Sequence, residues 1–207
     1  MNIFRDECAQ CGNLVELAKT GRPRRYCSNA CRQRNYRQAH RLPIVDSNPI
    51  PVELRERARW ILHKAKRPIA LGGWWSSVND TSTWMTYEEA SDAVARGDVR
   101  ADGYGFVLNG DGVVCIDLDD CVEAGEPNVF ARDFIRALGA TYVEFSPSGR
   151  GLHVWGLSGF PKGRVFAGGN LKVEVYPDKR FITMTGRPYR EGMLARLDIT
   201  NALRLVA

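Results

Sequence analysis

The chain is predicted to fold as an α+β protein with a largely antiparallel sheet, preceded by a small metal-bound module. Three observations predict this. Short apolar runs with two-residue alternation recur in pairs around turn residues, the pattern of half-buried strands. Windows with apolar residues at helical spacing lie between those runs. Four of the six cysteines fall in two close pairs, Cys8-x2-Cys11 and Cys27-x3-Cys31.

The elements follow in order. Residues 1–41 hold both cysteine pairs. Two thiolate pairs on short loops suit one closed, tetrahedral, structural Zn²⁺; disulfides are the alternative reading. Ser28 is positioned to cap a basic helix with Cys31 in its first turn. A knuckle followed by a helix carrying the last ligand resembles the treble-clef type of zinc finger. So few apolar residues leave zinc to supply much of the folding energy. Residues 42–52 contain Pro43, Pro49 and Pro51 and no periodicity, which predicts a stiff extended linker.

Residues 53–207 are expected to form a second domain. Leu54, Ala58, Ile61, Leu62 and Ala65 predict a helix over Glu53–Arg67. Gly72 to Trp84 reads as an irregular loop, its tryptophans either packed or stacking on bases. Thr86-Tyr87-Glu88-Glu89 is a capping box that opens a helix, and Gly97 closes it. Gly105–Leu108 and Val113–Leu118 flank Asn109-Gly110-Asp111-Gly112, a hairpin signal. Asn128–Leu138 predicts a helix with Phe130, Phe134 and Leu138 on one face. Tyr142–Phe145 and Leu152–Leu157 predict a second hairpin. Leu171–Tyr176 and Arg180–Thr185 around Pro177-Asp178-Lys179 predict a third.

A formal charge of +5 is modest for 207 residues, and the pI is about 9.0. The excess is uneven. Arg22, Arg24, Arg25, Arg32, Arg34, Arg37 and Arg41 crowd one stretch. Such a cluster suits a polyanion, or else a solvated helix face. No apolar run approaches the ~20 residues that span a bilayer, and Arg5, Asp6 and Glu7 exclude a signal-peptide core there. A cytoplasmic protein without membrane contact is expected.

Three strands carry the chemistry. In Val113–Asp119, Asp117 and Asp119 project to one side, Ile116 and Leu118 to the other. In Gly151–Trp155, His153 stands between Leu152 and Val154. In Lys172–Tyr176, Glu174 stands between Val173 and Val175. One sheet thus presents two aspartates, a glutamate and a histidine. Clustered carboxylates repel one another unless a hard cation neutralises them, and Mg²⁺ or Mn²⁺ completed by phosphate oxygens is the usual solution. Asp120 breaks the alternation and enters the next turn. The loop before His153 offers Ser148, glycine-rich backbone amides and the Arg150 guanidinium to a phosphate. Lys172 and Arg180 are either further phosphate contacts or surface cations. Cys115 reads as a small packed residue.

These strands and their flanks, "GYGFVLNGDGVVCIDLDDC", "TYVEFSPSGRGLHVWG" and "VEVYPDKRFITMTGR", resemble the three motifs of the archaeo-eukaryotic primase superfamily, or prim-pols. The nearest likeness is to phage and plasmid primase-polymerases of the deep-sea vent phage type, over roughly Trp60 to Arg187. Gly151 stands where the family motif has serine, with Ser146 and Ser148 earlier. The resemblance implies a prim-pol catalytic domain with an RRM-like sheet flanked by helices. It implies two Mg²⁺ or Mn²⁺ ions on the catalytic acids Asp117, Asp119 and Glu174. It implies nucleotide contacts from His153, alongside Ser148, Arg150, Lys172 and Arg180. The implied partners are a single-stranded DNA template, a primer and nucleoside triphosphates, in phage or plasmid replication. No Walker A motif is present, so a replicative helicase is expected to be a separate protein. The helical segment that assists priming in related proteins has little chain left for it before Ala207. Two other readings use the same residues: a weakly catalytic nucleic-acid adaptor worked by the finger, and a metal-dependent nuclease.

Overall fold

The computed structural model describes residues 7–15, 24–39, 47–97, 99–168 and 171–206. Arg5, Asp6, Arg22, Arg41 and residues 42–46 of the proline-rich segment lie outside the described residues, as do the side chains of 37–39. The chain divides into two compact units, residues 1–46 and 47–207.

In the first unit a knuckle is closed by backbone bonds from Cys8 N to Asn13 O at 2.8 Å and from Gly12 N to Cys8 O at 2.9 Å. Gly12 takes φ +72°, a conformation that costs glycine nothing. Helix α1 (Asn29–Ala39) follows. Ser28 Oγ accepts the Cys31 amide at 3.1 Å, so the cap and the last cysteine share its first turn. Arg24, Arg25, Arg32 and Arg34 are exposed.

The second unit begins before the expected linker ends, because Ile50 is buried in its core. Helix α2 (Val52–Arg55) is a single turn. The helix expected to reach Arg67 is replaced by strands β1 (Trp60–Lys64) and β2 (Arg67–Ile69), joined at Ala65 and Lys66. Both turn residues adopt positive φ. Trp60 to Leu62 are buried without interruption, and a strand covered on both faces shows no alternation to read.

Helix α3 (Tyr87–Arg96) carries the expected box: the Thr86 hydroxyl accepts Glu89 N at 3.2 Å, and the Glu89 carboxylate accepts Thr86 N at 2.8 Å. Strands β3 (Gly103–Asn109) and β4 (Val113–Asp119) come next. A two-stranded ribbon, β5 (Val122–Glu123) and β6 (Glu126–Pro127), leads to α4 (Val129–Leu138). There Asn128 caps Ala131 N at 2.9 Å. Ala131, Phe134, Ile135 and Leu138 form its buried face, with Phe130 outside it. Then follow β7 (Val143–Phe145), β8 (Leu152–Leu157), β9 (Arg164–Gly168), β10 (Leu171–Tyr176), β11 (Asp178–Thr183), β12 (Pro188–Arg190) and α5 (Ile199–Leu203).

The strands form a four-stranded sheet, β11-β3-β1-β2, and a six-stranded sheet, β12-β7-β8-β4-β10-β9, antiparallel throughout. The β7–β8 hairpin is as expected. The other two expected hairpins are not. After Asn109 the chain leaves the four-stranded sheet and enters the six-stranded one as β4; after Tyr176 it returns as β11. The two connections are adjacent, with Gly110 N donating to Pro177 O at 3.2 Å. Arg59 ties the first one down, pairing with Asp111 at 2.8 Å.

Alternation in β4 sorts the layers. Val114, Ile116 and Leu118 enter a core against α4 and α5. On the opposite face Val113 and Cys115 join Phe106, Leu108, Tyr142 and Trp155 in a core between the sheets. Farther along that face the residues become Asp117 and Asp119. Apolar packing between the sheets therefore ends where the acids begin, and a cleft opens.

Candidate active site and metal centre

Register explains how the acids meet. Asp117 pairs directly with His153 on β8 and with Glu174 on β10. His153 in turn pairs with Glu144 on β7. One row across four strands thus reads Glu144, His153, Asp117, Glu174. Asp119 pairs with Lys172. The Lys172 ammonium lies 2.6 Å from Asp119 Oδ2 and 2.5 Å from Glu174 Oε1. His153 Nε2 lies 3.9 Å from Asp117 Oδ1.

Burial pushes the Asp117 carboxyl above its usual range; His153 opposes the shift, and the Asp119 and Glu174 charges add to it. The two carboxylates bonded to Lys172 raise its ammonium. A cation of the chain's own, the Lys172 ammonium, thus bridges Asp119 and Glu174. The Tyr176 hydroxyl donates to the far oxygen of Glu174.

A cavity of about 700 Å³ opens over Asp117, Asp119 and His153. Ser148, Lys66, Lys179 and Arg180 also line it. The Arg180 guanidinium is stacked 4.8 Å from the Tyr176 ring centroid. Arg150 is placed differently: it pairs with Asp120 at 3.0 Å on the surface and is not among the lining residues.

The serine offset has a steric cause. A Cβ on Gly151 would stand 2.5 Å from the Leu118 carbonyl oxygen, inside contact distance. The Ser146 hydroxyl instead lies beside Gly151, accepting its amide at 3.1 Å, and sits 3.1 Å from the Ser148 hydroxyl.

Glu144 is the residue that sequence reasoning missed. It is fully buried. Its Oε2 accepts Gly186 N at 2.9 Å, Thr185 N at 3.1 Å and the Tyr142 hydroxyl at 3.2 Å. Its Oε1 lies 3.2 Å from His153 Nδ1. A carboxylate only accepts, so Nδ1 is the donor and Nε2 is turned towards Asp117. The available signal was an acid in Val143-Glu144-Phe145, a strand predicted to pair with that of His153. Glu144→Ala strands four donors, the Thr185 and Gly186 amides, the Tyr142 hydroxyl and His153 Nδ1, so it is expected to lower the unfolding free energy by about 3 kcal/mol. Urea denaturation of the two proteins reads this directly, and coincident transitions would exclude it.

In the first unit the ligand atoms of Cys8, Cys11, Cys27 and Cys31 all lie within 4.8 Å of one another. Among the described residues no other such cluster of cysteine, histidine or acidic groups occurs. Sulfur separations are 3.6 Å for Cys11–Cys27, 3.5 Å for Cys27–Cys31 and 3.7 Å for Cys31–Cys11. Tetrahedral Zn–S bonds of about 2.3 Å place sulfurs about 3.8 Å apart, and all four thiols are free. The Cys27 backbone amide lowers Cys8 to about 6. Crowding by the Cys31, Cys11 and Cys8 thiols pushes Cys27 up to about 12. Four thiolates therefore coexist there only around a cation.

No helix among the described residues is long and apolar enough to cross a membrane. No family model matches the chain. The chain is similar to the DNA Primase-polymerase of Nitratiruptor phage NrS-1, at 31% identity over 147 residues that cover 66% of this chain and 20% of that protein. It thus spans about a fifth of that relative's length, and the similarity supports the prim-pol resemblance carried by the three strand motifs.

Proposed function

We propose that the chain is a DNA primase-polymerase segment: a template-directed nucleotidyltransferase using two Mg²⁺ or Mn²⁺ ions, of phage or plasmid origin, with an N-terminal zinc finger. The observation that carries this reading is the row of His153, Asp117 and Glu174 on adjacent strands, beside a cavity whose other wall is cationic.

Asp117, Asp119 and Glu174 would hold the ions. An ion held there would supply charge stabilisation to a primer 3′-hydroxyl losing its proton and to the departing pyrophosphate. Lys172 keeps Asp119 and Glu174 close together. His153, oriented through Nδ1 by Glu144, would contact a nucleotide phosphate through Nε2 as an imidazolium, because phosphate oxygens only accept. Lys66, Lys179 and Arg180 offset triphosphate charge, and Ser148 offers a hydroxyl. Arg150 reaches a phosphate after exchanging its exposed partner Asp120, a weak attachment in water. No protein nucleophile is required; the side chains position the reactants and stabilise charge.

The test is incorporation of labelled nucleotides on a primed single-stranded template. Synthesis is expected with Mg²⁺ or Mn²⁺ and none with chelator. Metal-dependent degradation of the template without synthesis would overturn the reading in favour of a nuclease.

The finger's exposed arginines are assigned to holding template. Removing residues 1–41 is expected to weaken single-stranded DNA binding and flatten its salt dependence, because fewer phosphate contacts release fewer counterions. Extension of a preformed primer persists at high DNA concentration. An unchanged affinity and salt slope, measured by anisotropy titration, would assign the finger to a protein partner instead.

A further inference from the structure

Beside the cavity lies a group of side chains that the acids' chemistry does not use. Trp74 and Trp75 follow β2, and their exposures are 63% and 53%. Leaving two adjacent indoles open forgoes a large apolar burial. Both rings are nevertheless held. The Trp74 ring packs over Gly72 so closely that a Cβ there would fall 1.6 Å from it. The Arg67 guanidinium covers the Trp75 ring at 4.1 Å from its centroid.

The backbone beneath them is pinned as well. Ala70 N donates to Trp74 O at 2.9 Å, Gly73 N to Ala70 O at 2.8 Å, and Ser76 N to Pro68 O at 3.0 Å. Ile69 and Trp75 form a β-bridge. The backbone that carries the indoles is thus pinned, and each ring lies against the protein while staying open to solvent.

Their surroundings select the partner. Lys64, Lys66 and Arg67 are exposed on the adjoining turn and strand. Lys66, Pro68 and Val78, from the segments on either side of the tryptophans, line the cavity that holds Asp117 and Asp119. An apolar protein partner would have to strip water from those cations. A single strand offers what the surface lacks: bases to stack on the rings and phosphates for the cations. Arginine on the indole adds to this, since its plane also stacks.

We propose that Trp74 and Trp75, backed by Gly72 and Arg67, form a platform on which unpaired bases of a single-stranded DNA template stack at the approach to the cavity. The inference rests on the polymerase reading and names the surface that receives the template.

The experiment compares binding of the full chain to oligothymidylate and to an abasic strand of the same length, at several salt concentrations. Unmodified protein is expected to prefer the base-bearing strand by about 5- to 150-fold, the range for one stacked base. Trp74→Ala with Trp75→Ala is expected to remove that preference while keeping the salt slope, because phosphate contacts remain. Trp74→Phe with Trp75→Phe is expected to keep most of it, and circular dichroism reports the fold of each variant. A base preference surviving in the folded alanine variant overturns the proposal, as does its absence from unmodified protein. Nucleotide incorporation is followed in the same preparations. Incorporation without a base preference overturns the platform alone. A base preference that the alanine variant abolishes, without incorporation, supports the platform and overturns the polymerase reading.

Discussion

Alanine at both Asp117 and Asp119 is expected to reduce nucleotide incorporation at least about a thousandfold, the scale on which removing transition-state charge stabilisation acts. The thermal midpoint is expected to hold or rise slightly. Both carboxylates lie beyond the point where packing between the sheets ends, so their removal opens no hole in either core. Burial and the like charges of Asp119 and Glu174 raise the Asp117 carboxyl above its usual range. Truncating it relieves that repulsion. Lys172 keeps Glu174 as a partner at 2.5 Å. Calorimetry of the double variant with Mn²⁺ supplies a second readout, in which the ion's stabilising shift is lost. A variant that still polymerises would remove these acids from the chemistry.

Zinc is expected at one ion per chain, and its removal should unfold the first unit while sparing the second. Structural zinc sites contribute about 10–16 kcal/mol of apparent binding energy. Little else holds the finger: among its described residues Cys8 and Val15 are the buried apolar groups. The second unit has two cores of its own. Cys27→Ser with Cys31→Ser is expected to abolish the metal and leave the melting transition of residues 47–207 in place. Elemental analysis of protein purified without chelator checks the stoichiometry. Zinc-free protein, or a stable disulfide between the pairs, would rule out the site.

Local signals were legible in the sequence. The capping box at Thr86, the Ser28 cap and the alternation in Val113–Asp119 each depend on neighbours a few residues away, and each is found where expected. Strand partners depend on distant residues. Asn109–Gly112 has the chemistry of a hairpin turn, yet β3 pairs with β1 and β11 while β4 pairs with β8 and β10. The same ambiguity hid β1, where a strand buried on both faces imitates helical spacing. Among the site residues, the row through Asp117 was readable because polar residues alternate with aliphatic ones along the strands that carry it. Glu144 was not singled out, since its importance comes from the residue opposite it. Arg150 was readable as a cation but not as one occupied by Asp120.

The paired connections between the sheets, Gly110–Gly112 and Pro177, bear on how such a chain tolerates change in length. Surface turns usually absorb an extra residue at little cost. Here each connection bridges the same two layers, and Gly110 is bonded to Pro177. An insertion in one must be matched by the other, or it wedges the layers and widens the cleft. The spacing between the acids and the facing cations is thus a tolerance set at the spine, as the gape of a hinged book is set by its binding.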